Sequence, residues 1–587
     1  MPGAGETRPV PWGRIALAWL GLSALLVLVN WGHIAAWRFT DPDDVLRLVQ
    51  VRDLYAGQGW FDLHQYRINP GDSPVEHWSR LVDLPLLAVI ALLAPLIGQA
   101  AAEQVAAVFV PLLALGVVMV AVGRMAFRLL GREVAIFACL AIGLSPALLG
   151  QLQPLRLDHH GWQVAMVMLA LSALLHPKPA IGGALAGLAF AAGLMISLEV
   201  LPLAAAFGAV LLLRWLRDPA QRWWLAYFLA SLAISLVLLF GLTRGTADLA
   251  LHCDVISPAH LGFFALAASG ACVAAAIPKL PRIAALGLIG ACGGAGLALF
   301  LSASPECLAG PFANLDPLVR EYWYDFVLEG RPFWMQPPAL ALAAIAQGLV
   351  AIGVTFHLWR EAEPNRRGWW LDYLLLQAAA LLGGMLVWRS MAFAGAISAL
   401  PLGWLAHALI LRLRKAMPLA TKIGLAVGGM ALLMPAFPIG LAVMLLPARA
   451  GAADSARLRT SSCDLRENAS QLDRFAPATI FAPIDLGPSL LERTHHSVVA
   501  TGHHRAQLAM RDVIRAFIGS PAEAEAIVKS HKARYLVLCT DLGEPKIYAE
   551  AAPRGLMAQL LAGDVPDWLE PVKLDTPDVF KVWKVRE

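Results

Sequence analysis

Asp41, Asp43 and Asp44 crowd into Asp41-Pro42-Asp43-Asp44, and Arg52-Asp53 follows shortly after; the whole stretch comes directly behind an apolar run long enough to cross a bilayer. Carboxylates this close raise one another's pKa and favour a divalent cation, because oxygen-rich sites suit hard ions such as Mg²⁺ or Mn²⁺. The same residues suit a helix start, with Asp41 or Asp43 as cap and Asp44 at the positive end. A second motif, Arg156-Leu157-Asp158-His159-His160, offers a carboxylate and an imidazole that can reach one ion if the backbone turns, beside an arginine able to hold a phosphate. It equally suits a hydrogen-bonding cluster at a span end. In Val327-Leu328-Glu329-Gly330-Arg331-Pro332, Glu329 comes just before an apolar run. Arg389, in Trp388-Arg389-Ser390, lies between two such runs, where a charge either pairs with a ligand or carboxylate or snorkels to lipid headgroups.

What must position these residues is a membrane domain. With 587 residues, 58% of them hydrophobic and 15% charged, the chain has more apolar surface than one soluble core can hide. The reading is an α-helical polytopic membrane protein of about thirteen spans, from 15–36 to 421–447, in contact with membrane lipids. Lys and Arg fall mainly in short loops and the net charge is only +4, so these cations orient the protein and nucleic acid is not a partner. The first apolar run lacks a small-residue cleavage site and reads as an uncleaved span. Runs 134–150 and 161–176 are read as spans, whereas 84–99 fits the positive-inside pattern only if it lies along the interface. Loops 37–102, 151–160, 244–257 and 303–337 then share the outer face with the C-terminal segment. That arrangement puts Asp44 on a water-exposed loop.

Residues 1–449 form the expected membrane domain and 450–587 an exported soluble domain, α/β or α+β, with a strand at Arg534–Cys539 and a helix before it at Pro521–His531. The seven cysteines have no ligand-like spacing, so a cysteine metal site is not expected and any disulfide joins exported ones. His495, His496, His503 and His504 lack cysteine or a helical His-x-x-x-His spacing and read as exposed loop histidines. Glu199 reads as a helix-end hydrogen-bonding group. No P-loop or dinucleotide-binding glycine pattern is present.

In their order, the acidic cluster after the first span, the short Asp-containing loop before the fourth, the outer loop ending in x-x-Glu-x-x-Pro and the late-span arginine resemble the GT-C-fold oligosaccharyltransferases, the membrane enzymes of N-glycosylation. The resemblance covers about residues 15–410. It implies a divalent metal, Mg²⁺ or Mn²⁺, held by Asp44, Asp158, His160 and Glu329. It also implies phosphate binding by Arg389 and Arg156, and Asp44 or Glu329 as the catalytic carboxylate. The implied function is transfer of a sugar or oligosaccharide from a polyprenyl-phosphate-linked donor to an acceptor on the outer face of a bacterial-type inner membrane. A single-sugar transferase acting on a lipid or polysaccharide, and a non-catalytic lipid-linked-glycan flippase or binding protein, are the alternatives. Two departures stand out. That family usually has two acids in its second motif, where His160 replaces one here, and its exported domain carries Trp-Trp-Asp-Tyr-Gly, which this tail lacks. Trp369-Trp370-Leu371-Asp372-Tyr373 is broken by an extra leucine and opens a span.

Overall fold

The computed structural model describes residues 9–312, 314–445 and 462–587. Among them, eleven helices are long and apolar enough to cross a membrane, or twelve if Leu419–Leu433 and Ala436–Leu445, bent by 94°, form one span. The chain is a multi-pass membrane protein. The boundary expected at 449/450 lies outside the described residues.

The count falls below thirteen for local reasons. Over 134–150 the helix Arg132–Ala141 ends in a 3₁₀ turn, and Ser145 is extended before Pro146, whose ring disfavours helical backbone at the preceding residue. Over 161–176 the helix is His160–Ala173, 14 residues or about 21 Å, short of a hydrocarbon core about 30 Å thick. The loop joining these two short elements carries Asp158. It hangs on the longest helix, Gln99–Leu130: Pro111 has no N–H to offer the Ala107 carbonyl four residues back, and the Leu155 N–H takes that place at 2.9 Å. Since Ala107 lies eight residues inside its helix, the loop sits about 12 Å below that helix's start.

After the first apolar helix, α1 (Trp12–Val29), three helices position the site: α2 (Pro42–Tyr55), α3 (Arg80–Ile97) and α4 (Gln99–Leu130). Helix α3, the apolar run expected along the interface, is among the eleven by length and composition. It turns into α4 at Gly98, whose φ of +82° suits glycine. Both sides of the α3–α4 hairpin are tied to the short α2. Asp83 accepts from Arg47 (3.1 Å) and Gln50 (2.7 Å), and Arg52 donates to Glu103 (2.7 to 3.0 Å). Below Ala107, α4 still has 23 residues, about 35 Å, enough to cross alone. A cysteine at Ala100 is therefore expected to react with an impermeant thiol reagent from the side of the tail domain, and one at Arg128 from the opposite side. Labelling of Ala100 from the side opposite the tail would put α3 across the bilayer.

The tail holds a five-stranded mixed sheet: β1 (Thr479–Phe481), β2 (Ser497–Val498), β3 (Ala533–Cys539), β4 (Leu569–Pro571) and β5 (Phe580–Val585), in the order β2-β1-β3-β5-β4. The expected strand is β3, and Pro521–Ser530 is the helix before it. The loop between α2 and α3 extends this sheet, because Val498 donates to Arg67 and accepts from Asn69 (2.9 and 2.8 Å). Leu46, Val49, Ile68 and Trp78 share one apolar cluster with tail residues such as Leu490 and Phe580. Disulfides Cys253–Cys307 and Cys463–Cys539 join segments that the sequence reading puts on the outer face, while Cys139, Cys272 and Cys292 are free in helices.

Candidate active site

Asp41 caps α2, its Oδ1 accepting the Asp43 N–H (3.0 Å), with Pro42 in the first helical position, where its missing N–H costs nothing. The capping reading thus holds for Asp41. Asp44 is fully buried, contrary to the water-exposed loop expected for it. The reason is the loop at 155–158, which folds over the start of α2. Asp44 Oδ1 accepts the Leu157 and Asp158 N–H groups (2.7 and 2.8 Å), and Oδ2 takes Arg156 (3.1 Å). Arg156 also donates to Asp41 (2.6 Å). Burial pushes the Asp44 carboxyl up to about 7, with Arg156 opposing and Asp41 and Asp158 adding to the rise.

Asp44→Ala would leave Arg156 one acceptor short and two backbone N–H groups bare. The expected loss is about 3–5 kcal/mol, the usual cost of removing one partner of a buried ion pair. It is read as a fall in the unfolding temperature of the detergent-purified protein; an unchanged value would show that the clamp does not hold the loop.

The remaining groups converge beyond this clamp. Asp158 Oδ1 lies 2.5 Å from His159 Nδ1 and Oδ2 lies 3.1 Å from His160 Nε2. Against burial, these two imidazoles hold Asp158 well below the usual carboxylate range. Glu199 Oε2 reaches His160 Nδ1 (3.3 Å), and Glu199 Oε1 takes Arg389 (2.8 Å). Glu329 stands 3.5 Å from Arg389, 3.9 Å from His160 and 3.8 Å from Arg156. A 3₁₀ turn presents it, held by Gln336 on the Leu328 carbonyl (2.5 Å). The turn also approaches Arg389 closely: a Cβ at Gly330 would lie 3.0 Å from the guanidinium.

All six residues singled out from the sequence, Asp44, Arg156, Asp158, His160, Glu329 and Arg389, therefore lie in one network. Three members carried no assigned role in it: Asp43, counted only within the acidic cluster, His159 and Glu199. Asp43 follows the helix cap, and no hydrogen-bond donor among the described residues reaches its carboxylate. Burial, then the charges of Asp41, Asp158, Glu329 and Asp44, push it well above the usual range. The signal for it was the Asp-Asp pair itself, which does not say which member faces inward.

Asp158, His159 and His160 bring three ligand atoms within 4.8 Å; the buried Nε2 of His159 lacks a hydrogen-bond partner, and that of His160 faces only the carboxylates of Asp158 and Glu329. With Asp43 and Glu329 alongside, this donor set fits a divalent cation. Asp44 fits less well, because its lone pairs already serve the clamp. Trp370 and Tyr373 pack in the bundle core, and Asp372 is taken by Arg214 and Arg217, so the broken Trp-Trp-x-Asp-Tyr stretch is structural.

A helical membrane bundle whose polar loops and small tail domain gather at one end around an acid-rich site is the GT-C architecture, of the oligosaccharyltransferase-like kind. The fold is shared with the oligosaccharyltransferase AglB of the archaeon Archaeoglobus fulgidus in complex with an inhibitory peptide and a dolichol-phosphate. The TM-score is 0.67 at 12% identity, over 98% of this chain and 76% of that one. The apo form of the Archaeoglobus fulgidus oligosaccharyltransferase gives 0.64 at 14% identity, over 97% and 75%. ArnT from Cupriavidus metallidurans bound to undecaprenyl phosphate aligns over 97% and 98% at 14% identity, with a TM-score of 0.39. No family model matches the sequence, and no curated protein matches it.

Proposed function

We propose that the protein is a metal-dependent glycosyltransferase that moves a sugar or oligosaccharide from a polyprenyl-phosphate or -diphosphate donor to an acceptor on the outer face of the inner membrane. The observation that carries this reading is the pairing, in one recess, of an ion-binding acid and imidazole cluster with two arginines, Arg156 and Arg389, suited to a phosphate. A divalent cation, when bound there, supplies charge neutralisation for a departing phosphate. Imidazole donors make Mn²⁺ a better match than Mg²⁺. Asp43, Asp158, His160 and Glu329 face that position, while Asp44 positions the Asp158 loop. Arg389 and Arg156 hold the phosphate oxygens. Glu329, with 31% of its side chain exposed, is the carboxylate open enough to orient an acceptor and take its proton. The two disulfides support an oxidising, external location for the loops and tail.

The experiment is release of lipid phosphate from a polyprenyl-phosphate-linked donor by the purified protein. Release should stop on chelation and return with Mn²⁺. Lipid-linked glycan crossing vesicle membranes without release, chelated or not, would favour the flippase reading. Mass spectrometry of cell-envelope glycans and glycoproteins with and without the gene would then identify the acceptor, for which the missing Trp-Trp-Asp-Tyr-Gly motif gives no reason to prefer protein.

A further inference from the structure

A second cluster of metal-ligand types lies where the loop between α2 and α3 meets the tail. His503, read from the sequence as an exposed loop histidine, is only 2% exposed, because the tail docks it onto Glu76 and His77. Glu76 is fully buried; its Oε1 has no hydrogen-bond partner, and its Oε2 meets only an imidazole. A carboxylate in that position is strongly unfavourable unless a cation compensates it. What faces it is imidazole: His503 Nε2 lies 2.6 Å from Glu76 Oε2, and His77 Nδ1 lies 2.9 Å from the same His503 nitrogen. The three ligand atoms are all within 4.8 Å of one another.

A single proton does not satisfy this arrangement. A hydrogen on His503 Nε2 serves Glu76 or His77 and leaves the other without a partner. An outer layer fixes the wall behind His77. Asp254 accepts from Arg505 through two bonds of 2.9 Å and meets His504 Nε2 at 2.9 Å, and the His504 ring packs on His77 with centroids 4.6 Å apart.

We propose that Glu76, His77 and His503 bind a transition-metal ion of the Zn²⁺ class, at a site separate from the acid cluster around Asp158. One carboxylate and two imidazoles are ligands that suit Zn²⁺ and its borderline neighbours and not Mg²⁺, and three protein ligands leave a fourth position for water. The ion bolts the tail to the loop between α2 and α3, beside the pairing of Val498 with Arg67 and Asn69. It also bears on the active site. Trp78, next in the chain, stacks under Arg47 at 4.3 Å, and Arg47 comes within 3.8 Å of Asp158.

The test uses the full chain in detergent, stripped with chelator and then given Zn²⁺ or Co²⁺ alone, with bound metal measured by elemental analysis. The double variant Asp43→Asn, Asp158→Asn, which dismantles the acid cluster, is expected to keep about one equivalent of Zn²⁺ and to unfold at higher temperature with Zn²⁺ than without. In that background Co²⁺ should give the visible absorption of a low-coordinate imidazole site. Adding Glu76→Gln or His503→Ala should abolish all three signals. The proposal is overturned if the double variant binds no Zn²⁺ and shows no Co²⁺ absorption, a result that needs no further substitution, or if Glu76→Gln and His503→Ala leave the bound metal unchanged. None of these readouts depends on the transferase reading.

Discussion

Asp43→Asn is expected to lower kcat for sugar transfer by about 10²- to 10³-fold, the range seen when one electrostatic group at a developing charge is removed. The substitution takes a negative charge from the point where Asp41, Asp158, Glu329 and Asp44 all act on it, so the cation is held less well and the leaving phosphate is less neutralised. Folding should not suffer, because no hydrogen bond to this carboxylate is lost. In metal-free protein the sign is the reverse of an ordinary ion-pair loss. Asp43 has its folded pKa raised above the unfolded 3.8, so its contribution is most favourable in acid and is lost as pH rises through the folded value. Asparagine mimics the protonated form and should leave the metal-free protein at least as stable as wild type at neutral pH. Transfer at wild-type rate by Asp43→Asn under limiting Mn²⁺ would remove Asp43 from the metal position.

Arg389→Lys is expected to raise KM for the polyprenyl-phosphate-linked donor about tenfold, equivalent to about 1.4 kcal/mol, with Arg389→Ala weaker still. The guanidinium is paired with Glu199 and Glu329, carboxylate partners that snorkelling to headgroups would not require. A planar fork can keep one carboxylate contact while giving its other N–H groups to a phosphate, which a single ammonium does less well. Gly330 leaves room for the fork. The change should appear in KM more than in kcat. A lysine variant with wild-type KM would take Arg389 out of the donor site and leave Arg156 as the phosphate ligand to test.

Much of this site was legible because its chemistry is carried by residue types that are costly at a membrane face. Three carboxylates behind an apolar run, a loop Asp-His-His, a glutamate before a span and an arginine between spans each demand a partner, and the spacing of apolar runs already put them at one end of the bundle. The strand at Ala533–Cys539 was similarly plain, since the apolar run Tyr535–Cys539 within it is what a buried strand requires.

The sequence by itself determined that the chain crosses the membrane many times and which polar motifs lie at one end of it, and the cation and phosphate chemistry proposed above rests on those residue types. Tertiary structure decided the assignments between neighbours. Asp43 and Asp44 differ by one step of about 100° around a helix, and only the loop folding over α2 turns one into a buried clamp and leaves the other facing the acids. Glu199 became a partner of Arg389 and His160 because helices remote in sequence pack at the same depth. His503 became buried because the tail docks on Glu76 and His77, more than 400 residues away along the chain. Such long-range contacts leave no local periodicity or capping signal, so they arise only when the whole chain has packed.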